Sequence, residues 1–242
     1  KGHRFLTHLA HGYAEHWVGR GVQSALTFPY WVISALCWMT DSRDPFSDHH
    51  RAYQLGWATK YLSREQEKAI SKRLYGSEKT LDPSYRFKAQ RVIWHQNRCC
   101  VDESLILCEY GGYPIISSKF TSDGFGYPEA EAELFSAVTG IEVTSEEIDK
   151  VGERIFNLER AIMVREGRNK EYEVRCGVID YLVNRPDTEG RRLEKEKFLQ
   201  SLDEYYALRG WDIETGWPKR EKLEELGLRD VAEELGRMRL LP

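Results

Sequence analysis

The chain has 242 residues, enough for one large domain or two small ones, and its 41% hydrophobic and 12% aromatic residues supply a substantial core. A net charge of −4 with both signs interspersed excludes the basic footprint of a nucleic-acid-binding protein, and no apolar run approaches the ~18 residues that would cross a membrane. Five scattered cysteines (Cys37, Cys99, Cys100, Cys108 and Cys176) form neither a disulfide framework nor a C-x-x-C pair, which implies a reduced, cytoplasmic setting.

No secretory leader is legible in the polar, His-rich opening. His3, His8, His11 and His16 lack a cysteine or carboxylate at a recognised metal-binding spacing. Glycines at 2, 12, 19 and 21 interrupt any long helix over 1–31. The apolar run WVISALCWMT then enters a polar turn at Asp41-Ser42-Arg43-Asp44-Pro45. In this loop His49 and His50 follow Arg43, Asp44 and Asp48. Such a cluster is either a polar surface loop or a place where a His beside carboxylates transfers protons near neutral pH.

Residues 63–76 read as a helix with a capping box, Ser63 and Gln66, and a glycine stop at Gly76. Residues 84–108 read as a long helix packed on several sides, whose C-terminal end carries Asp102, Glu103, the apolar ladder Leu105-Ile106-Leu107 and Cys108. Cys108 is either a buried small hydrophobe or a thiolate ligand to a metal or iron–sulfur cluster. Asp102 and Glu103 are either a solvated acidic pair or acceptors for the N–H groups of a pterin or base, since one carboxylate takes two such donors in a plane.

The spacing predicts a helix over 127–140 with Pro128 at its first position and Gly140 as its stop. It predicts another over 144–167 with the box Thr144–Glu147 and one apolar face formed by Ile148, Val151, Ile155, Leu158 and Ile162. A loop or irregular insertion is expected over 168–190, a helix over 192–210, and a short Pro-started, Gly-ended helix over 218–228. Alternating strands are scarce, so the fold class is mainly α, with few strands and no internal repeat.

The stretches ESLILC (103–108), GERIFNLERAIMVREG (152–167) and LDEYYALRGWD (202–212), followed by KLEELGL (222–228), resemble the C-terminal part of the aldehyde:ferredoxin oxidoreductase family. These are tungsten, sometimes molybdenum, bis-pyranopterin enzymes. The family order is the same: an acid–x–x–G–L–C loop, a G-E-R-I-x-N-x-E-R helix, then L-x-x-Y-Y-x-L-R-G-W. The resemblance runs over roughly residues 28–230.

The resemblance implies that Cys108 supplies the fourth ligand of a [4Fe–4S] cluster beside the pterin, and that Glu103, where the family usually has Asp, binds the pterin with Asp102 and Leu107 alongside. Ile106 stands where the family has glycine, a departure that bears on the loop's backbone geometry. The 43–50 loop resembles the family's R-G-x-C-H stretch, with Arg43 as its Arg and His49 or His50 as the substrate-side His. The implied division is an end of the middle helical domain over 1–83 and a helical C-terminal domain over 84–242.

By resemblance the chain is about the last third of such an enzyme. The cluster's other cysteines would come from an N-terminal part or partner chain, and ferredoxin or an electron-transfer subunit would take the electrons; an oligomer is implied. The implied reaction is oxidation of an aldehyde to a carboxylate. The alternatives are a segment of the active subunit of the ATP-independent benzoyl-CoA reductase, or a non-catalytic helical assembly module that has lost its cofactors.

Overall fold

The computed structural model describes residues 30–42, 63–107, 127–175, 183–184, 186 and 189–242. Their helices are α1 (Tyr30–Thr40), α2 (Arg64–Tyr75), α3 (Ala89–Ser104), α4 (Ala130–Thr139), α5 (Ser145–Arg165), α6 (Lys170–Arg175), α7 (Lys195–Arg209), α8 (Arg220–Glu225) and α9 (Arg229–Arg237), with a 3-10 turn at Glu78–Leu81. Among the described residues the strand-like pairing is one isolated bridge, Trp211 to Pro218. The mainly α class read from the sequence is the observed one.

Local chemistry explains the best-defined ends. Ser63 Oγ accepts from the Gln66 N–H at 3.2 Å while Gln66 Oε1 accepts from the Ser63 N–H at 2.9 Å, so two orphan donors of α2 are satisfied reciprocally. Thr144 and Glu147 close the same box at α5. Gly76, Gly140 and Gly210 end α2, α4 and α7 in the left-handed conformation.

Four expectations are corrected. The long helix stops at Ser104, so Leu105–Leu107 lie in the turn beyond it. Pro128 is not the first helical residue of α4; Glu129 is the N-cap and Ala130 opens the helix. The expected loop after 168 contains α6, and α9 follows the last expected helix. The buried side of α5 also differs from the predicted stripe. Ile148 is buried, but Val151, Leu158 and Ile162 face outward, and Gly152, Phe156, Asn157, Arg160, Ala161 and Val164 face inward. Apolar periodicity counts Asn and Arg as solvent-facing; here both are buried because other helices supply their partners.

The core gathers around α3. Helix α1 is apolar all round, and its Val32, Ile33, Ala35, Leu36, Cys37 and Met39 are all buried against α3, α5 and α7. Burial pushes the Cys37 thiol pKa well up, as expected of an inert thiol in an apolar site. A second cluster packs Leu223, Leu228, Ala232 and Leu235 of the α8–α9 hairpin onto Ala161 of α5. A third joins Val101, Ala132 and Ile148 from α3, α4 and α5.

The most extensive helix contact is α3 with α5. They meet at Gly152, where a Cβ would lie within 2.7 Å of the Asn97 carbonyl carbon, with the carbonyl oxygen closer still. Both obstacles are backbone, so a methyl there forces the helices apart. Gly152→Ala should therefore lower stability by about 2–4 kcal/mol despite its better helix propensity. Chemical denaturation checks this; a neutral or stabilised variant would show that α5 can slide.

Candidate functional site

The predicted site residues fall in two places. Arg43, His49, His50 and Cys108 lie outside the described residues, as do Cys176 and the N-terminal histidines. Asp102, Glu103 and Leu107 share one turn at the C-terminus of α3.

That turn has a defined form. The Leu107 N–H donates to the Asp102 carbonyl at 2.8 Å, and the Ile106 N–H donates to the Glu103 carbonyl at 3.1 Å. These are the two hydrogen bonds of a Schellman motif, with Leu105 as C-cap and Ile106 one residue beyond. The motif needs a left-handed residue at that position, and Ile106 has φ +58°. A glycine takes this conformation without cost; a β-branched residue does not. Ile106 thus holds a backbone conformation that glycine would take without cost. The Ile106 side chain is 92% exposed.

Around the turn, Asp102 is buried and Glu103 half-buried, so one of the two carboxyl groups has access to solvent. Leu105 packs on the Val101–Ala132–Ile148 cluster, which pins the turn against α4 and α5. One turn earlier, the buried Arg98 fixes the start of both neighbours: Nε bonds Asp149 at 2.7 Å, Nη1 bonds Glu131 and the Pro128 carbonyl at 2.9 Å each, and Nη2 bonds Ser145 at 2.8 Å. In the sequence Arg98 reads as an ordinary helix charge, and nothing marks it as this hub.

The start of the His-bearing loop is also held. Arg168 donates to the Met39 carbonyl at 2.8 Å and the Asp41 carbonyl at 2.5 Å, capping α1. Ser42 Oγ donates to Glu159 at 2.6 Å.

The motif residues on α5 and α7 interlock. Arg160 bonds the Gly216 carbonyl at 3.0 and 2.8 Å, pairs with Glu173 at 2.5 Å, and lies 4.4 Å from the centre of the Trp211 ring. Asn157 accepts from Trp211 Nε1 at 2.7 Å and donates to the Glu153 carbonyl at 2.9 Å. Arg209 bonds Asn97 at 2.6 Å, Gln96 at 2.8 Å and Tyr205 at 3.1 Å. Glu173 also accepts from Arg168 at 2.7 Å and from the Tyr206 hydroxyl. Burial alone would raise the Glu173 pKa, but the Arg160 and Arg168 guanidiniums outweigh it and hold the carboxyl at about 2, below its ordinary 4.5. Among the described residues no three His, Cys, Asp or Glu side chains cluster as a metal site.

Comparison with known proteins follows this geometry. The family profile "Aldehyde ferredoxin oxidoreductase, domains 2 & 3" matches residues 34–228, and the chain belongs to that family. The tungsten-containing aldehyde ferredoxin oxidoreductase of Pyrococcus furiosus is 34% identical over 116 residues, which are 46% of this chain and 18% of the relative. The Pyrococcus abyssi enzyme of the same name is 30% identical over 144 residues, 59% of this chain and 21% of the relative. The aliphatic sulfonate oxidoreductase WOR-like subunit of Pyrococcus furiosus is 28% identical over 132 residues, 52% and 20% of the two chains. The chain thus spans about a fifth of the length of the curated relatives it matches. A solved chain of the active-site complex of benzoyl coenzyme A reductase shares the fold, with a TM-score of 0.52 over 75% of this chain and 28% of that one at 21% identity.

Two outcomes test the geometry. Ile106→Gly should raise the melting temperature by roughly 2–4 °C, because about 1 kcal/mol of left-handed strain is relieved and no packed side chain is lost; a lower melting temperature would mean that the isoleucine is held by contacts. For Glu173, the folded pKa lies below the unfolded one, so its contribution is complete above about pH 4.5 and is lost as pH falls toward about 2. Glu173→Gln should cost about 3–5 kcal/mol at neutral pH by leaving Arg160 buried beside a neutral group, and should flatten the acid-side loss of stability. Denaturant midpoints across that window read both effects.

Proposed function

We propose that this chain is the cofactor-closing part of a tungsten- or molybdenum-pterin oxidoreductase that oxidises aldehydes to carboxylates and delivers electrons to ferredoxin. One observation carries the reading: the turn that resembles the family's acid–x–x–G–L–C loop is left-handed at Ile106, the position of that pattern's glycine, three residues after Glu103. Family membership supports it, since the relatives are oxidoreductases named as tungsten-containing.

The residues fit the group on chemical grounds. Glu103 is half-buried on the last turn of α3, and a carboxylate there would accept a pair of pterin N–H donors. Asp102, buried beside it, and Leu107 would shape the pterin's edge, and Arg43 would meet its anionic groups. Cys108, two residues past the left-handed turn, would give its thiolate to a [4Fe–4S] cluster. When bound, the metal–pterin and cluster supply the two-electron redox chemistry. Aldehyde plus water gives carboxylate, three protons and two electrons, and His49 or His50 would carry a proton away from the substrate side. The remaining cluster cysteines would come from polypeptide outside this chain.

Metal analysis of the anaerobically purified assembly is the test. Tungsten or molybdenum with about four irons is expected, and Cys108→Ala should remove the cluster iron and its broad visible absorption. An assembly without W, Mo or Fe sinks the reading; iron unchanged in Cys108→Ala removes the role of Cys108 alone.

A further inference from the structure

Helix α5 is 21 residues long, and one stripe of it stays apolar in solvent. Its Val151, Leu158 and Ile162 are 47%, 37% and 45% exposed. At 3.6 residues per turn, these three fall with Glu147 and Arg165 in an arc of about 60°. Glu147 and Arg165 are exposed as well. The stripe therefore runs from an acid, through three apolar residues, to a base. Lys150 and Arg154, also exposed, lie outside the arc at its margin.

Beside the stripe, α5 and α9 leave a groove whose apolar lining is Leu158, Ala161, Ile162, Val231 and Leu235. The apolar surface is thus wider than one helix. Arg165 reaches Glu234 at 3.4 Å and stands 3.9 Å from Glu166. Both pairs are exposed and hold Arg165 weakly, and a guanidinium carries five donors, so it can serve a further carboxylate. Glu147 closes the α5 capping box through Oε2, and its carboxylate has a second oxygen.

We propose that this stripe is an isologous contact, in which α5 of one chain lies antiparallel on α5 of a second copy. The order of the stripe selects that occupant. A two-fold axis pairs positions equally spaced about one level of the helix. The level midway between Glu147 and Arg165 is that of Phe156, and the level midway between Val151 and Ile162 falls between Phe156 and Asn157. One axis therefore sets Glu147 against the second copy's Arg165 and Val151 against its Ile162, twice each. The two copies of Leu158 then meet about 5 Å apart along the helix direction, at the centre of the contact. Apolar residues fill the middle and opposite charges close both ends. Parallel pairing would instead put Glu147 on Glu147 and Arg165 on Arg165. A foreign partner requires no relation between the two halves of the stripe; a second copy requires this one. The contact involves neither the α3 turn nor a cofactor, so it stands or falls apart from the redox reading.

The test places a photo-cross-linking side chain at position 151 of the purified assembly and identifies the linked peptides by mass spectrometry. Melting temperatures check that each variant folds. The expected link runs from position 151 to the 161–165 segment, in a product of twice the chain's mass. Within one helix those positions are about 16 Å apart, beyond the probe's reach, so the link must join two copies. Leu158→Glu should abolish it. Arg165→Glu alone should lower its yield by about fivefold, and adding Glu147→Arg should restore it. No link, a link to another segment or to a different polypeptide, a link between the two positions 151, or a link that survives Leu158→Glu overturns the proposal.

Discussion

Asn97 sits where α5 lies directly on α3, with nothing but the Gly152 hydrogen between one backbone and the other. The same residue turns its side chain the other way, to accept from Arg209 of α7. Three helices are therefore referenced to one point. Burying Arg209 is tolerable because its donors are matched by Tyr205, Gln96 and Asn97 while its flat face lies 4.1 Å from the Phe156 ring centre. Each of those partners must be at its distance for the guanidinium to be satisfied, so the polar core specifies helix positions more sharply than apolar packing does.

The site inherits this precision. Arg98, the residue after Asn97 on α3, reaches α4 and α5 with three of its nitrogens. The last turn of α3, carrying Asp102 and Glu103, thus extends from a helix already fixed in register. A residue kept in the left-handed region persists only where its surroundings over-determine it. Ile106 meets that condition: two cap hydrogen bonds run from its turn into α3, and Leu105 is anchored in the cluster beneath.

Much of the fold was legible because capping is local. Ser63 with Gln66 and Thr144 with Glu147 announce helix starts within four residues, and Gly76, Gly140 and Gly210 announce stops. What failed was non-local. The buried face of α5 is paved with Asn157 and Arg160, whose partners Trp211, Gly216 and Glu173 lie far along the chain. Helix α9 begins at Arg229 after an N-cap, Leu228, that offers no side-chain hydrogen bond, so no residue there signals its start. At the site, propensity argues against a left-handed Ile106, and the replacement of the pattern's glycine gave no forecast of it; the helix cap, rather than the residue type, sets that conformation.

The motifs that carry the family resemblance divide by what they do. Gly152, Asn157, Arg160, Tyr205, Tyr206, Arg209 and Trp211 spend their hydrogen bonds and ring contacts on one another and on Gln96, Asn97 and Glu173. They explain why this sequence keeps the family's fold, and they would keep it with or without a cofactor. The α3 turn is of another kind. Its bonds are backbone bonds that tolerate any residue able to bear the strain, so the path from Glu103 to Leu107 is held with Ile106 at its left-handed position. Glu103 reaches one methylene further than an aspartate would from the same backbone position.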